Sequence, residues 1–335
     1  MITPAYSLTA TERVLPRLAL DFTTAVTDSR VATARAGNTA TRFNPSGLIE
    51  TVNANLARYD FNPSTLICNG QLIEEARTNL FLNSLIDGTN LATQIVVLTN
   101  VAHTLSFYGS GTVTISGGHS ATVVGTGNFP SRRTLTFTPT VGASTFTVSG
   151  DVKFAQLEVG SFATSYIPTA ATSVLRNADV VTMTGTNFSD WYNASEGTFV
   201  TGYRVSTLVT PSVKPVFAAY DGTFNSNRVY LNVGVSGQTN LLVNSGGSAQ
   251  ASILGEFVTA NALIKTTSKY KVDNFALAVN GNSPFTDTSG LVPVGSNRLD
   301  IGFFQPASVY INGHMAFINY YPLGLTTNEV RAFSK

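Results

Sequence analysis

The segment 132-RRTLTFTPTVGASTFTVSGDVKFAQLEVG-160 decides the fold class of this 335-residue chain, because apolar residues recur at every second position along it. The same alternation occurs upstream, in HTLSFYG (103–109) and GTVTISGG (111–118). A period of two bounded by Gly, Pro or Asn indicates short antiparallel strands with one buried face. The residues expected on that face are Leu105, Phe107, Val113, Ile115, Leu135, Phe137, Phe146 and Val148. The sequence therefore predicts a small jelly-roll β-sandwich over residues 79–168, closed by DVKFAQLEVG (151–160).

The composition is that of an all-β protein with a weakly charged surface. Charged residues make up 12% of the chain and hydrophobic residues 43%, and 20 basic and 19 acidic residues leave a formal net charge of +1. This balance provides no electrostatic footprint for nucleic acid or acidic lipid, and it suits contact with carbohydrate or with other subunits. The single cysteine, Cys68, excludes an internal disulfide and a multi-cysteine zinc site, and we expect it to be a small buried hydrophobic residue.

A second series of strands begins near residue 196, for example in GTFVTGYRV (197–205) and RVYLNVGV (228–235). These strands predict a second antiparallel sandwich over residues 196–335, and Thr326 with Glu329 fits the capping box of one short closing helix. Residues 169–195 are interpreted as a connector rich in Ser and Thr. Residues 1–78 have poor periodicity, so we expect an extended N-terminal arm without a core, ordered by lying across a neighbouring subunit.

Several of these passages resemble virion proteins of tailed bacteriophages, many of which are tail or fibre proteins. EEARTNLFLNS (74–84) and AQLEVGSFATSYIPT (155–169) are similar to segments that open and close a jelly roll like those of carbohydrate-binding modules in that family. The second half of the chain resembles a concanavalin-like or laminin-G-like sandwich in three segments: EGTFV (196–200), NFALAVNGN (274–282) and YINGHMAFINYYPLGLTTNEV (310–330). PAYSLTATERVLPRLALDFTT (4–24) is similar to the opening of such phage proteins.

The resemblance implies a structural virion protein rather than an enzyme. Its N-terminal arm would bind other virion proteins, and its lectin-like sandwich would contact host-surface polysaccharide as part of a tail fibre or adhesin. Two alternatives stay open: a capsid-surface decoration or head-fibre protein with little or no glycan binding, and a polysaccharide-degrading tailspike. Thr-rich, weakly charged edge strands favour a homo-oligomer. The charged start, with Glu12, Arg13 and Arg17, predicts synthesis in the host cytoplasm without a cleaved export signal, and no apolar run predicts membrane insertion.

Glu158 lies in an otherwise apolar run and is the candidate acid of the tailspike alternative. Strand alternation places it on one face with Val152. Glycoside hydrolysis uses two carboxyl groups roughly 5–10 Å apart, and the candidates for a partner are Glu74 and Glu75. We expect instead a hydrogen-bonded structural carboxylate that anchors the connector or an arginine such as Arg77.

A sugar site would combine aromatic faces with amide and charged groups on loops or on one sheet face. In the second sandwich the candidates lie at a turn, on the next strand and at a hairpin tip: Tyr220, Asp221, Arg228, Tyr230, Asn280 and Asn282. Trp191 and Tyr192 form a further aromatic pair just before EGTFV. Core packing is the alternative for every aromatic residue in a sandwich.

Motifs for catalysis or metal binding are absent from the sequence. It contains neither H-E-x-x-H nor G-x-S-x-G, and the histidines His103, His119 and His314 are isolated. We therefore expect no zinc site, no serine nucleophile and no cofactor. Calcium would require loop oxygen ligands; the aspartates that could supply them are scattered, and solvated loop aspartates are the default interpretation. These aspartates are Asp151, Asp179, Asp221, Asp273 and Asp287.

Overall fold

The computed structural model describes residues 15–208 and 211–335, and within these ranges the protein is all-β, with 28 strands, two short α-helices and two single-turn 3₁₀ helices. Residues 1–14 of the predicted arm, including Glu12 and Arg13, lie outside the described residues. Across the described ranges, no helix combines the length and apolar character needed to cross a membrane.

The strands fall into three groups along the chain. Those before residue 80 are β1 (Leu18–Asp21), β2 (Ala32–Ala34), β3 (Ala40–Phe43), β4 (Ile49–Val52), β5 (Tyr59–Phe61), β6 (Cys68–Ile73) and β7 (Arg77–Asn79). Those of the small module are β8 (Gln94–Leu98), β9 (His103–Tyr108), β10 (Thr112–Ser116), β11 (Ala121–Val124), β12 (Arg133–Phe137), β13 (Gly142–Ser149) and β14 (Lys153–Val159). The others are β15 (Val174–Arg176), β16 (Val180–Thr184), β17 (Glu196–Val205), β18 (Lys214–Tyr220), β19 (Arg228–Val233), β20 (Gln238–Ser245), β21 (Ser248–Phe257), β22 (Ile264–Lys271), β23 (Phe275–Val279), β24 (Phe285–Asp287), β25 (Arg298–Ile301), β26 (Phe303–Phe304), β27 (Val309–Tyr310) and β28 (Gly313–Tyr321). The α-helices are α1 (Thr186–Ser189) and α2 (Thr327–Phe333).

The small module is a sandwich of two antiparallel sheets. One sheet has the strand order β11-β10-β13-β8 and the other has the order β12-β9-β14. All eight residues predicted for the inner face pack into one core, where six are buried and Leu135 and Val148 are half-buried. The predicted strands and their buried face are therefore confirmed.

One prediction about β14 is wrong. The register of β14 against β9 shifts at a bulge that includes Phe154, whose φ is 46°. Val152 consequently packs in the core with Leu157, on the side opposite Glu158. Alternation fails between Val152 and Glu158 because a bulge adds a residue and breaks the period of two.

The large module is a two-layer sandwich. One sheet has the order β24-β23-β22-β17-β28-β6-β5, with β1 also paired to β28, and the other has the order β2-β16-β25-β18-β19-β20-β21. Their inner faces enclose one aromatic-rich core, in which the rings of Phe199 and Phe217 stack with centroids 4.2 Å apart. The predicted fold class, all-β with two antiparallel sandwich modules, is confirmed.

Most of residues 18–73 belong to the large module rather than to an extended arm. β1 and β6 pair with β28 in one sheet, and β2 pairs with β16 at the edge of the other. Leu18, Leu20 and Phe22 are buried in the large core. The expectation that this region lacks a core is wrong, because its short strands find their partners on sheet edges far along the chain. A role in attachment stays a prediction.

The predicted connector, residues 169–195, is also folded. It supplies β15, which pairs with β7, and β16 of the seven-stranded sheet. Trp191 is buried in the large core, and its indole Nε1 donates to the carbonyl oxygen of Asn187 at 2.7 Å. The core interpretation of this tryptophan is confirmed.

The closing helix α2 begins as predicted. The backbone N–H of Glu329 donates to the Thr326 hydroxyl at 3.4 Å, and the Glu329 carboxylate accepts from the Thr326 N–H at 2.8 Å. These reciprocal bonds are the expected capping box.

Candidate functional site

The outer face of the seven-stranded sheet carries aromatic rings around one guanidinium group. We call this cluster, formed by Phe224, Arg228, Tyr230 and Phe304, the Arg228 patch. The intervening residues of β19 are buried in the core, so Arg228 and Tyr230 face outward together. The guanidinium carbon lies 5.1 Å from the ring centroid of Tyr230, 5.4 Å from that of Phe304 and 5.9 Å from that of Phe224. These are distances of cation–π contacts.

Arg228 is held in place by neutral partners. Its Nε donates to Asn244 Oδ1 at 3.0 Å, and its Nη1 donates to the carbonyl oxygen of Phe224 at 3.2 Å. Among the residues that the structure describes, none accepts a hydrogen bond from Nη2, and no carboxylate lies within 4.0 Å of the guanidinium. Burial lowers the pKa of Arg228. The half-buried guanidinium therefore keeps one amino group without a protein acceptor.

The rings of the patch differ in exposure. Phe304 and Tyr230 are 1% and 3% exposed, whereas Phe224 is 51% exposed. The Tyr230 hydroxyl is buried without a hydrogen-bond partner in the described structure, and burial raises the pKa of this phenol. Tyr230 and Phe304 thus form a floor, and Phe224 offers the ring that a ligand can reach.

Tyr220 supports this floor rather than offering a free ring. It is the cross-strand partner of Arg228 and is fully buried. Its hydroxyl donates to Asp300 Oδ2 at 2.7 Å, and its ring lies 5.2 Å from that of Phe304. The prediction that Tyr220 itself meets a sugar is not favoured by this burial.

Asp221 orders the turn that carries Phe224. Its Oδ1 accepts from the backbone N–H and the hydroxyl of Thr223 at 2.9 and 2.6 Å, and its Oδ2 accepts from Asn227 Nδ2 at 3.0 Å. The carboxylate is therefore occupied within the turn, and its effect on the patch is to position the Phe224 ring.

Asn280 and Asn282 lie elsewhere. Asn280 Oδ1 accepts from the Lys265 N–H at 2.9 Å, and Asn282 Nδ2 donates to Glu256 Oε1 at 3.2 Å. Glu256 is near the end of β21 that pairs with the start of β20, whereas Arg228 pairs with the far end of β20. At the rise of a strand this separation is about 20 Å, so the structure does not bring the two asparagines to the other four candidates.

Sequence reasoning missed Phe224, Asn244 and Phe304. Asn244 lies directly across from Arg228 on β20. This pairing can be recognised only when the order and register of the strands are known. Phe304 is more than 70 residues away in sequence, and only the folded chain brings its ring within 5.0 Å of that of Tyr230. Phe224 did have a signal, because it is an aromatic residue inside the polar turn DGTFNSN (221–227).

A cavity of about 380 Å³ lies where the two modules meet, with Glu75, Arg77, Phe162, Tyr310 and Asn312 in its lining. Its charged groups already have partners. Arg77 Nη2 lies 2.5 Å from Glu75 Oε1, and Asn312 Nδ2 donates to Glu75 Oε2 at 2.9 Å. These contacts join the modules and occupy the Glu75 carboxylate.

Glu158 is a structural carboxylate, as predicted. It is fully buried and accepts from the backbone N–H and the hydroxyl of Thr164 at 3.1 and 2.9 Å, while Arg77 Nε lies 3.9 Å away. Burial raises the pKa of this carboxyl group. A second cavity, about 170 Å³, is lined by Glu74 but not by Glu158, so the two acids do not face one groove there.

Glu74 belongs to a buried ionic network of Arg35, Arg58, Arg176 and Asp179. Arg35 Nη1 lies 2.9 Å from Asp179 Oδ1, and Arg58 Nη2 lies 2.9 Å from Glu74 Oε2 and also contacts Asp179. Burial alone would raise the pKa of Glu74, but Arg176 and Arg58 outweigh it and hold that pKa at about 2. The default interpretation of Asp179 as a solvated loop aspartate is wrong, because the arginines enclose it.

The histidines are not clustered with other metal-ligand side chains in the described structure. No group of three or more His, Cys, Asp or Glu side chains in these ranges could hold a metal ion. His103 bonds the carbonyl oxygen of Val101, His119 stacks on Phe137, and His314 Nε2 lies 2.9 Å from Asp60 Oδ2. Cys68 is half-buried against the large core.

Neither a protein-family model nor a curated protein matches the chain. Some solved structures resemble part of it. The CBM40 of Ruminococcus gnavus IT-sialidase bound to α2,3 sialyllactose is 13% identical, with a TM-score of 0.36 over 42% of this chain and 83% of that one. NanB sialidase from Streptococcus pneumoniae is 14% identical, with a TM-score of 0.37 over 45% of this chain and 26% of that one. Trypanosoma rangeli sialidase in complex with the inhibitor DANA is 11% identical, with a TM-score of 0.36 over 46% of this chain and 26% of that one.

Proposed function

We propose that this protein is a non-catalytic, lectin-like component of a tailed-bacteriophage particle that contacts host-surface glycans through the Arg228 patch. The observation that carries the proposal is the exposed ring of Phe224 beside the unpaired Nη2 group of Arg228. An aromatic face gives apolar contact to a ligand, and a few convergent polar groups fix its orientation. A sugar ring offers both kinds of surface.

The patch is organised before any ligand arrives. Asp221 fixes the turn under Phe224, while Asn244 and a carbonyl oxygen fix the Arg228 guanidinium. Buried Tyr230 and Phe304 support both groups. Binding would therefore order few additional side chains, which lowers its entropic cost.

The phage assignment is supported by the residues that carry the resemblance. Glu74 of EEARTNLFLNS bonds Ser165 of AQLEVGSFATSYIPT, and Glu158 of the same segment bonds Thr164. These residues hold the junction of the two modules. A shared architecture of virion proteins would keep such residues for structural reasons.

A glycan array of bacterial surface polysaccharides tests the binding function. We expect the full chain to bind at least one class, and Phe224→Ala to weaken that binding about tenfold through loss of the ring contact. Phe257→Ala is the matched control, because Phe257 is 67% exposed at the other end of the same sheet. Equal binding by wild type and Phe224→Ala would contradict the proposal.

A capsid-surface decoration protein is the second candidate function. It is favoured by β21, a ten-residue edge strand without Lys or Pro, because such an edge suits pairing with another chain. Antibody labelling of intact virions separates the two roles. Label on the tail supports the adhesin, label on the capsid supports decoration, and no label on purified particles contradicts both.

A further inference from the structure

The two arginines on the outer face of the seven-stranded sheet differ in their counter-charge. Arg298 Nη2 lies 2.6 Å from the buried carboxylate of Asp300. Arg228 has only neutral acceptors in the part of the chain that the structure describes. Both guanidinium groups lie over a tyrosine ring, at 5.3 Å from the Tyr220 centroid and 5.1 Å from the Tyr230 centroid. The positive charge of the stacked guanidinium is thus neutralised at Arg298 and, within the described residues, has no counter-charge at Arg228.

We infer that Arg228 binds a carboxylate of the ligand, so that the glycan recognised at the patch is an acidic polysaccharide rather than a neutral one. This inference rests on the proposed glycan-binding function. A guanidinium forms charge-assisted hydrogen bonds with a carboxylate that are about twice as strong as bonds between neutral groups. The Nη2 group of Arg228 is the donor that remains available for such a bond.

The surroundings of Arg228 strengthen the preference for an anion. The guanidinium is partly removed from water, and burial lowers its pKa because the charged form lacks compensation. A carboxylate from the ligand would supply that compensation. The carboxylate of Asp221, in the turn that carries Phe224, does not compete because Thr223 and Asn227 occupy it.

The exposed ring of Phe224 provides a packing surface beside Arg228 for the sugar that carries the carboxylate. The guanidinium carbon lies 5.9 Å from the centroid of Phe224, whose ring is half-exposed. A pyranose packed on that ring would bring a carboxylate attached to its edge toward Nη2. Stacking and charge would then act on one sugar residue, as expected for a carboxylated sugar within a longer chain.

The test compares binding of the full chain to acidic bacterial capsular polysaccharides before and after reduction of their carboxyl groups to alcohols, with dextran sulfate as a further probe. We expect the native polymers to bind about tenfold more tightly than the reduced polymers. Arg228→Gln should abolish this difference. Arg133→Gln should retain it, because Arg133 is an exposed arginine of the small module and its replacement removes the same charge.

The outcomes separate this inference from the proposed function. Equal binding of native and reduced polymers, a preference that survives in Arg228→Gln, or binding confined to dextran sulfate would overturn carboxylate recognition. In those cases, binding that is lost in Phe224→Ala would still support a glycan site. Binding of the wild type to no acidic or neutral polymer would overturn both.

Discussion

The carboxylate of Glu74 accepts two hydrogen bonds from Ser165, one from its backbone N–H at 2.8 Å and one from its hydroxyl at 2.6 Å. With Arg58 and Arg176 these bonds join the N-terminal region to the segment that closes the small module. The folded pKa of Glu74, about 2, lies below its ordinary value of 4.5. Ionised Glu74 therefore stabilises the fold above pH 4.5, and this contribution, on the order of 3 kcal/mol, is lost as the pH falls from 4.5 toward 2.

Glu74→Gln should lower the free energy of unfolding at neutral pH by about 3 kcal/mol, because buried arginines lose their counter-charge. Urea unfolding at neutral pH, near pH 4.5 and near pH 3 measures this, and the variant should lose less stability than wild type over the acidic range. Glu50→Gln is the control, since Glu50 pairs with Arg42 in a half-exposed contact worth under about 1 kcal/mol. A variant as acid-sensitive as wild type would show that Glu74 is not the titrating group.

Asp179→Asn should reduce stability by about 3–5 kcal/mol, as expected when one partner of a buried ion pair is removed. Asp179 contacts Arg35 and Arg58 and also accepts the backbone N–H of Glu74 at 3.0 Å. Asp190→Asn provides the comparison, because Asp190 is exposed and its replacement should stay within about 0.5 kcal/mol. Equal urea midpoints for the two variants would mean that the network contributes little.

The sequence predicts the strands and their faces where apolar and polar residues alternate. The sequence places Arg228 and Tyr230 two residues apart on one strand, where they must share a face, and both lie in the patch. Only its turn chemistry makes Asn280 a candidate beside them, and the pairing order that places β23 in the other sheet has no local sequence signature. The bulge at Phe154 likewise overrides alternation, because it depends on a backbone conformation with positive φ.

Leu20→Ala should destabilise the protein by about 2–5 kcal/mol, because it leaves a cavity in the large core. This result would distinguish an integral strand β1 from an arm that packs only against a neighbour. Leu15→Ala is the matched control: Leu15 is 68% exposed, and its truncation should change stability by less than about 0.5 kcal/mol. Urea unfolding of the two variants at several protein concentrations makes the comparison. If the loss of stability in Leu20→Ala disappeared at high protein concentration, β1 would pack between chains instead.

Gly160→Ala should displace Arg77, because a Cβ on Gly160 would overlap the guanidinium that bonds the carbonyl oxygen of Val159. Gly142→Ala is a close match, since Gly160 and Gly142 have φ values of 141° and 140° but a Cβ on Gly142 would meet nothing within 4 Å. Both variants carry the backbone strain, and only the first moves the Arg77 guanidinium away from Glu75 and Val159, so Gly160→Ala should cost about 1 kcal/mol more.

The same pair of variants in an Arg77→Ala background isolates the overlap. With the guanidinium removed, Gly160→Ala and Gly142→Ala should cost the same within about 0.5 kcal/mol, which is the signature of direct coupling between Gly160 and Arg77. Urea unfolding of the six chains measures all the terms. If Gly160→Ala still lost more unfolding free energy than Gly142→Ala without Arg77, the difference would come from the backbone conformation at the end of β14. The contact between Gly160 and Arg77 would then play no part in holding the module junction.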